Sequence, residues 1–230
     1  VSAADQTIDA IAKADDPDRA ASLLRAEPEA LPALQKAARA AGAVKVLHEL
    51  SVLEAAKATG TTDTPKIEIR LQGHSVLAGR DHAYLMIIVD DHPAFAEDQR
   101  FQSVLEDGRR YATIGAGPRN MMPFFSDLVS GVNRKADLSD LLTDTFDVDV
   151  QHPEVNAGRV TERAIVDALF EADARYSDGL AYDILPFNWS DGYNSNSYVA
   201  GLLQATGWEV DRPGRVPGWH KPVPKEKFGK

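Results

Sequence analysis

Along this chain the spacing of hydrophobic residues changes once, near residue 60. Before that point they recur at three- and four-residue steps. "AADQTIDAIAKA" and "PDRAASLLRAE" are alanine-rich amphipathic segments, and "EALPALQKAARAAGAVKVLHELSVLEAAKATG" continues the pattern. Pro17 follows two aspartates, a sequence that opens helices. Gly42 marks a break and Gly60 a C-terminal cap. The first sixty residues are therefore expected to form a helical hairpin or three-helix layer, with His48 on a helix surface.

"TTDTP", Thr61 to Pro65, reads as a linker, and beyond it the period becomes two. Lys66 to Leu71 alternates Ile67, Ile69 and Leu71 against Lys66, Glu68 and Arg70, the signature of a half-buried strand. "HAYLMIIV", His82 to Val89, is apolar almost throughout and so predicts a central strand. "RRYATIG" and "TFDVDVQ" predict two more, with "GAGP" (Gly115 to Pro118) as a tight exit from the third strand. "RNMMPFFSDLVSGVN" and "VTERAIVDALFEADARY" read as helices, the second capped by Thr161. Strands and helices without a regular βαβ rhythm favour an α+β fold. The expected organisation is a helical segment over residues 1–60 and a sheet domain over 66–230. The Pro-, Gly- and Lys-rich tail from Arg212 should lie extended over the body.

Composition narrows the function. A net charge of −10 argues against nucleic acid, whose phosphates require a basic face, and against electrostatic binding to anionic membranes. No apolar run approaches the ~18 residues of a membrane span. The 43% hydrophobic content suffices for a folded core. There is no cysteine, which removes disulfides, thiolate zinc sites and a thiol nucleophile. The chain starts at Val1, as expected of a processed or trimmed piece.

Several motifs can be weighed and set aside. "GAGP" lacks the strand–GxGxxG–helix context of a dinucleotide site, and GxSxG is absent. Asp90, Asp91 and His92 precede Pro93 as turn residues. Asp147, Asp149 and His152 form a short acidic pattern that could serve a metal, although alternation also places them on a solvent face. No metal or cofactor is called for.

His82 and the cluster Asn194–Ser195–Asn196–Ser197 remain. His82 opens the most apolar strand, where an imidazole is shielded yet reachable. The polar cluster opens an apolar helix over about 196–205, closed by Gly207. A serine at a helix start sits among unpaired N–H groups that stabilise a developing oxyanion. Serine and asparagine are also the preferred N-cap residues, so capping competes with catalysis for Ser195.

"NSNSYVAGLL" resembles the nucleophile segment of papain-like hydrolases of the NlpC type, in which a cysteine at a helix start is followed by an aromatic–valine pair. Tyr198 and Val199 match that pair, and Ser195 stands at the cysteine position. His82 precedes the nucleophile, an order similar to the circularly permuted branch that includes lecithin–retinol acyltransferase-like enzymes. "HAYLMIIV", "IGAGP", "YNSNSYVAGLL" and "PGWHKPVPKEKFG" together are similar to bacterial domains of secreted, toxin-like polyproteins. The resemblance covers about 66–230.

The resemblance implies a central antiparallel sheet carrying His82 as base and a third polar residue on the next strand to orient it, for which Thr113 is the best-placed candidate. Asn194, which immediately precedes the nucleophile, and Asn196 are candidate oxyanion donors, and Asn194 reads equally well as a second cap residue. Serine departs from the family's thiolate chemistry and needs His82 to take its proton during attack. Three cases stay open: a working serine variant, a silent family member, or a replaced cysteine. The expected activity is acyl transfer to water, on a peptide or other amide or on a lipid ester. The expected setting is a soluble protein acting outside the producing cell, with an immunity or delivery protein as partner. The rival expectations are a silent papain-like binding module and a metal-dependent hydrolase using Asp147, Asp149 and His152.

Overall fold

The structure, a computed structural model, describes residues 3–59, 67–76, 80–91, 95–120, 126–139, 144–156, 162–187, 189–208 and 210–229. In chain order these give helices α1 (Ala3–Ala14), α2 (Pro17–Ala26), α3 (Leu31–Ala41) and α4 (Val44–Thr59), then strands β1 (Ile67–Ser75), β2 (Asp81–Val89), β3 (Ser103–Val104), β4 (Arg110–Pro118) and β5 (Asp127–Val132). Helix α5 (Lys135–Ser139), strand β6 (Asp144–Asp149), helices α6 (Pro153–Asn156) and α7 (Glu162–Arg175), strand β7 (Leu180–Ala181) and helix α8 (Ser195–Ala205) follow. The fold is α+β, and the chain divides into two compact units.

One unit comprises residues 1–67, 90–98 and 152–171. Its helices form where the three-and-four spacing predicts them, because that spacing gathers Ile8, Ile11, Leu34, Ala38, Val46, Leu47 and Leu50 into one buried cluster. Asp16 caps α2 by accepting from Arg19 N, with Pro17 in the first turn. Gly42, at φ 65°, closes α3 in the left-handed conformation. His48 is half-buried, and burial lowers its pKa below the usual imidazole value, against a smaller opposing effect of Glu49. The expected linker, Gly60 and Thr161 lie outside the described residues.

The other unit comprises residues 68–89, 99–151 and 172–230. Its sheet runs in the order β6-β1-β2-β4-β5-β7, with β3 also paired to β4. The pairings of β2 with β4, β4 with β5 and β1 with β6 are antiparallel, so the strand carrying His82 lies inside the sheet. Residues 83–89 are buried without interruption, as the apolar run predicts.

Two expectations are corrected here. Residues 127–132, read as part of a helix, form β5, paired with β4 from Ile114↔Val132 to Pro118↔Leu128. "GAGP" is consequently the C-terminal part of β4 itself, paired with β5, rather than a turn leaving it.

Helix α8 is buried on all sides from Ser195 to Leu203, the burial expected of a helix without a polar face. The tail crosses it closely: Val223 N donates to Ser197 O, and a Cβ on Gly201 would come 2.4 Å from Val223 O. Val216, Trp219, Val223 and Phe228 are buried, so the tail belongs to the core rather than merely overlying it. Tyr198, Tyr176 and Phe228 form an aromatic cluster with centroids 5.0 to 5.5 Å apart.

Candidate functional site

His82 Nε2 lies 2.9 Å from Asp137 Oδ1, and the Asp137 side chain is fully buried while that of His82 is 13% exposed. A carboxylate oxygen accepts, which places the imidazole proton on Nε2 and leaves the Nδ1 lone pair as the basic nitrogen. Asp137 sits on the short helix α5, and its neighbour Leu138 packs on the cluster Tyr84, Met86, Ile88 and Tyr111. Asn133, at φ 53°, sets the turn into α5: its Oδ1 accepts from Thr113 N and its Nδ2 donates to Arg100 O.

Gly115 makes the room for this carboxylate. A Cβ there would stand 2.4 Å from Asp137 Oδ2. That second oxygen is buried without a hydrogen-bond partner among the described residues. An unsatisfied buried acceptor costs ~1–3 kcal/mol, more when charged, so the fold bears a real expense to keep a carboxylate behind His82. His74, also buried, lies with its ring 4.9 Å from that of His82, and Tyr84 is 6.3 Å away.

The residue oriented on His82 is therefore Asp137, and the expectation for Thr113 is corrected. Thr113 Oγ1 is buried with no hydrogen-bond partner among the described residues. Asp137 was missed because it comes from a helix outside the neighbouring strand. The available signal was Gly115 and Gly117 at alternate positions of an apolar strand, which opens space on one face.

The polar cluster at the start of α8 divides by role. Asn194 is the N-cap: its Oδ1 accepts from Ser197 N, and its Nδ2 donates to Ile184 O and Pro217 O. Asn196 Oδ1 accepts from Ala83 N at 2.7 Å, and its Nδ2 donates to Asp81 O and Pro217 O. Asn196 thus ties the helix start to the main chain on both sides of His82. Ser197 Oγ donates to Gly218 O at 3.0 Å. Gly218, at φ 83°, is held so closely that a Cβ would come 2.6 Å from Asn194 Oδ1.

The amide donors of Asn194 and Asn196 are thereby occupied, which corrects their expected part as oxyanion donors. Asn194 takes the Ser197 amide with its side chain and the Tyr198 amide with its carbonyl. The first-turn N–H groups that remain for an oxyanion are those of Ser195 and Asn196.

Ser195 differs from its three neighbours. It is 4% exposed, and among the described residues its Oγ takes part in none of the side-chain bonds that hold the helix start. The capping role weighed for it belongs to Asn194. Ser195 and His82 share no hydrogen bond in this structure: Nε2 of the imidazole is engaged with Asp137, and Nδ1 makes no bond to Ser195. Asn196 is the link between them.

Deeper in the helix, the Tyr198 hydroxyl donates to Asp173 Oδ1 at 2.5 Å. Burial raises the pKa of Asp173 despite that bond, and burial also pushes Tyr198 well up.

The acidic pattern does other work. Asp147 pairs with Arg70, and His152 Nδ1 accepts from Glu154 N at the start of α6. Among the described residues no group of three or more His, Asp or Glu is placed to hold a metal. No described helix is long and apolar enough to cross a membrane. A cleft of about 650 Å³ lies toward the C-terminal end of α8, lined by Leu203, Gln204, Trp208, Asp211, Trp219 and Lys225. It includes none of His82, Asp137 and Ser195. The candidate site is therefore chosen on geometry rather than on cavity size.

Compared with protein-family profiles, curated proteins and solved structures, the chain finds no match in any of the three.

Proposed function

We propose that the chain is an acyl-transfer hydrolase with Ser195 as nucleophile, His82 as general base and acid, and Asp137 as the group that orients His82. The observation that carries this reading is the buried Asp137–His82 hydrogen bond, set beside a helix start where, of Asn194 to Ser197, Ser195 has no side-chain bond to the framework among the described residues. In the first step Ser195 Oγ attacks the carbonyl carbon while His82 Nδ1 accepts the hydroxyl proton. The oxyanion draws on the Ser195 and Asn196 amides and the positive end of α8. His82 then gives its proton to the leaving amine or alcohol. Water, deprotonated by the same nitrogen, releases the acyl group and regenerates Ser195.

For this, Ser195 Oγ must come within about 3 Å of His82 Nδ1 in the substrate complex. Catalytic hydrogen bonds commonly tighten only in the substrate complex. The order of histidine before nucleophile and the Tyr198–Val199 pair support a permuted papain-like domain, with an amide or lipid ester as substrate. A secreted bacterial effector or toxin, met by an immunity or delivery protein, is the setting the resemblance implies.

A second reading is a silent papain-like binding module, favoured by the lack of a Ser195–His82 hydrogen bond. A fluorophosphonate probe separates the two. Labelling confined to Ser195, and abolished by His82→Ala and by Asp137→Ala, supports the hydrolase. Absence of labelling in a folded chain supports the module.

A further inference from the structure

The segment entering the Ser195 helix carries an exposed aromatic pair. Phe187 and Trp189 stack with centroids 5.3 Å apart and planes within 2°, and they are 50% and 82% exposed. The other two tryptophans of the chain, Trp208 and Trp219, are 3% and 9% exposed. We infer that this pair is a docking platform for a lysine or arginine side chain of a partner polypeptide. The inference does not depend on the acyl-transfer reading.

The rings stand on a braced loop. Tyr182 and Tyr193 bridge its two ends, with Asp183 N donating to Tyr193 O and Tyr193 N to Ala181 O. At this neck a Cβ on Gly192 would come 2.4 Å from Asp183 Cβ, so only glycine lets the ends approach. Lys221 Nζ donates to Ser190 O and to Gly192 O, and lies 4.7 Å from the Tyr193 ring centroid. Ser190 closes a turn beneath the pair, its N donating to Phe187 O and its Oγ accepting from Phe187 N. A platform fixed in advance loses little conformational freedom when it binds.

Charge selects the occupant. Residues 183–192 include Asp183 and Asp191 and no Lys, Arg or His, in a chain of net charge −10. Lys221 is held beneath the loop by its carbonyls. Phe187 covers one face of the indole, and the exposure of Trp189 leaves the other open. An open indole face attracts ammonium and guanidinium groups through its quadrupole, and the acidic balance of the segment and of the whole chain favours a cation there. The half-exposed Leu185 offers apolar surface for the aliphatic stem of such a side chain. A membrane-inserting loop would be flanked by basic rather than acidic residues.

The test is calorimetric titration of the full chain with a blocked heptapeptide containing three lysines, and with its norleucine counterpart. The inference expects saturable binding of the lysine peptide, at least about tenfold tighter than that of the norleucine peptide. Trp189→Ala should weaken it by roughly 5- to 30-fold, and Trp189→Phe by less. Trp189→Ala leaves every charge in place, so an unchanged affinity would mean only diffuse attraction to an acidic protein and would overturn the inference. Equal binding of both peptides, no saturable binding of either, or binding of phosphatidylcholine vesicles with a blue shift of tryptophan emission would overturn it too. Ser195→Ala should bind the lysine peptide like the parent chain, which separates failure of this surface from failure of the catalytic reading.

Discussion

His82 and Asp137 are 55 residues apart in the chain, yet Nε2 of the first lies 2.9 Å from Oδ1 of the second. The pair is assembled by three elements: β2 carries the imidazole, α5 the carboxylate, and Gly115 of β4 the space between them. A carboxylate behind a histidine fixes the ring's tautomer and stabilises the imidazolium that forms during proton transfer. A catalytic role requires in addition that the remaining nitrogen face a reacting group.

Asp137→Asn keeps the shape but removes the charge. It should lower kcat/KM on an activated ester by about 10²–10⁴-fold, because the amide neither stabilises the imidazolium nor enforces the tautomer. The folded state should survive, since the carboxylate it replaces has one oxygen without a partner. Steady-state kinetics with a thermal melt decides this. Retention of full turnover would make the pair structural.

Ser195 and Asn194 are neighbours with opposite expected signatures. Asn194→Ala should cost about 0.5–2 kcal/mol as a lost cap, and somewhat more because its amide also holds Ile184 and Pro217. Ser195→Ala removes a hydroxyl that holds nothing in the framework, so denaturant unfolding should shift little while activity disappears. Ser195→Cys should keep turnover, since a thiol at this position supplies its own nucleophile. If Ser195→Ala retains full turnover, the nucleophile assignment is withdrawn.

The parts of the fold that could be read from the sequence are those where burial follows a simple period. Ile67, Ile69 and Leu71 alternate and are buried, and the continuous run from Ala83 to Val89 is interior. β5 was illegible because its apolar residues fit a helix as well as a strand, and only Leu128 of the strand is fully buried. β3 and β7, two residues each, are defined by their partners and have no pattern of their own. His82 and the start of α8 were legible as chemistry. Asp137 was not, since no local signal distinguishes a buried carboxylate in "RKADLSD" from a solvated one. The cap role of Asn194 was readable, but its bonds to Ile184 and Pro217, and those of Asn196 to Asp81 and Ala83, were not, because those partners are distant or unremarkable in sequence.

Asp173 makes stability depend on pH. Its pKa is raised in the folded chain, chiefly by burial, so the native state holds a proton that the unfolded state has released. Between the ordinary carboxylate value and the raised one, the unfolded chain binds fewer protons, and stability falls as pH rises. Asp173→Asn removes the ionisation and keeps an oxygen to accept from the Tyr198 hydroxyl. The variant should be more stable than the parent at pH 7, with the difference shrinking toward pH 4. Urea unfolding across that range measures it, and a difference independent of pH would refute the account.

Gly115→Ala separates the position of Asp137 from its chemistry. The added Cβ would meet Asp137 Oδ2 at 2.4 Å, Cγ at 3.1 Å and Tyr84 Cβ at 3.3 Å. Tyr84 Cβ is fixed to the β2 main chain, so the carboxylate is the group that must withdraw, and the 2.9 Å bond to His82 goes with it. Overpacking of this kind costs ~1–3 kcal/mol. Activity should fall toward that of Asp137→Asn although every catalytic side chain is still present. A double-mutant cycle identifies the cause: in an Asp137→Ala background the clash is gone, so Gly115→Ala should cost at least ~1 kcal/mol less than it does alone. Additive stabilities would mean that the methyl strikes something other than Asp137, and the glycine would lose its assigned part in shaping the site.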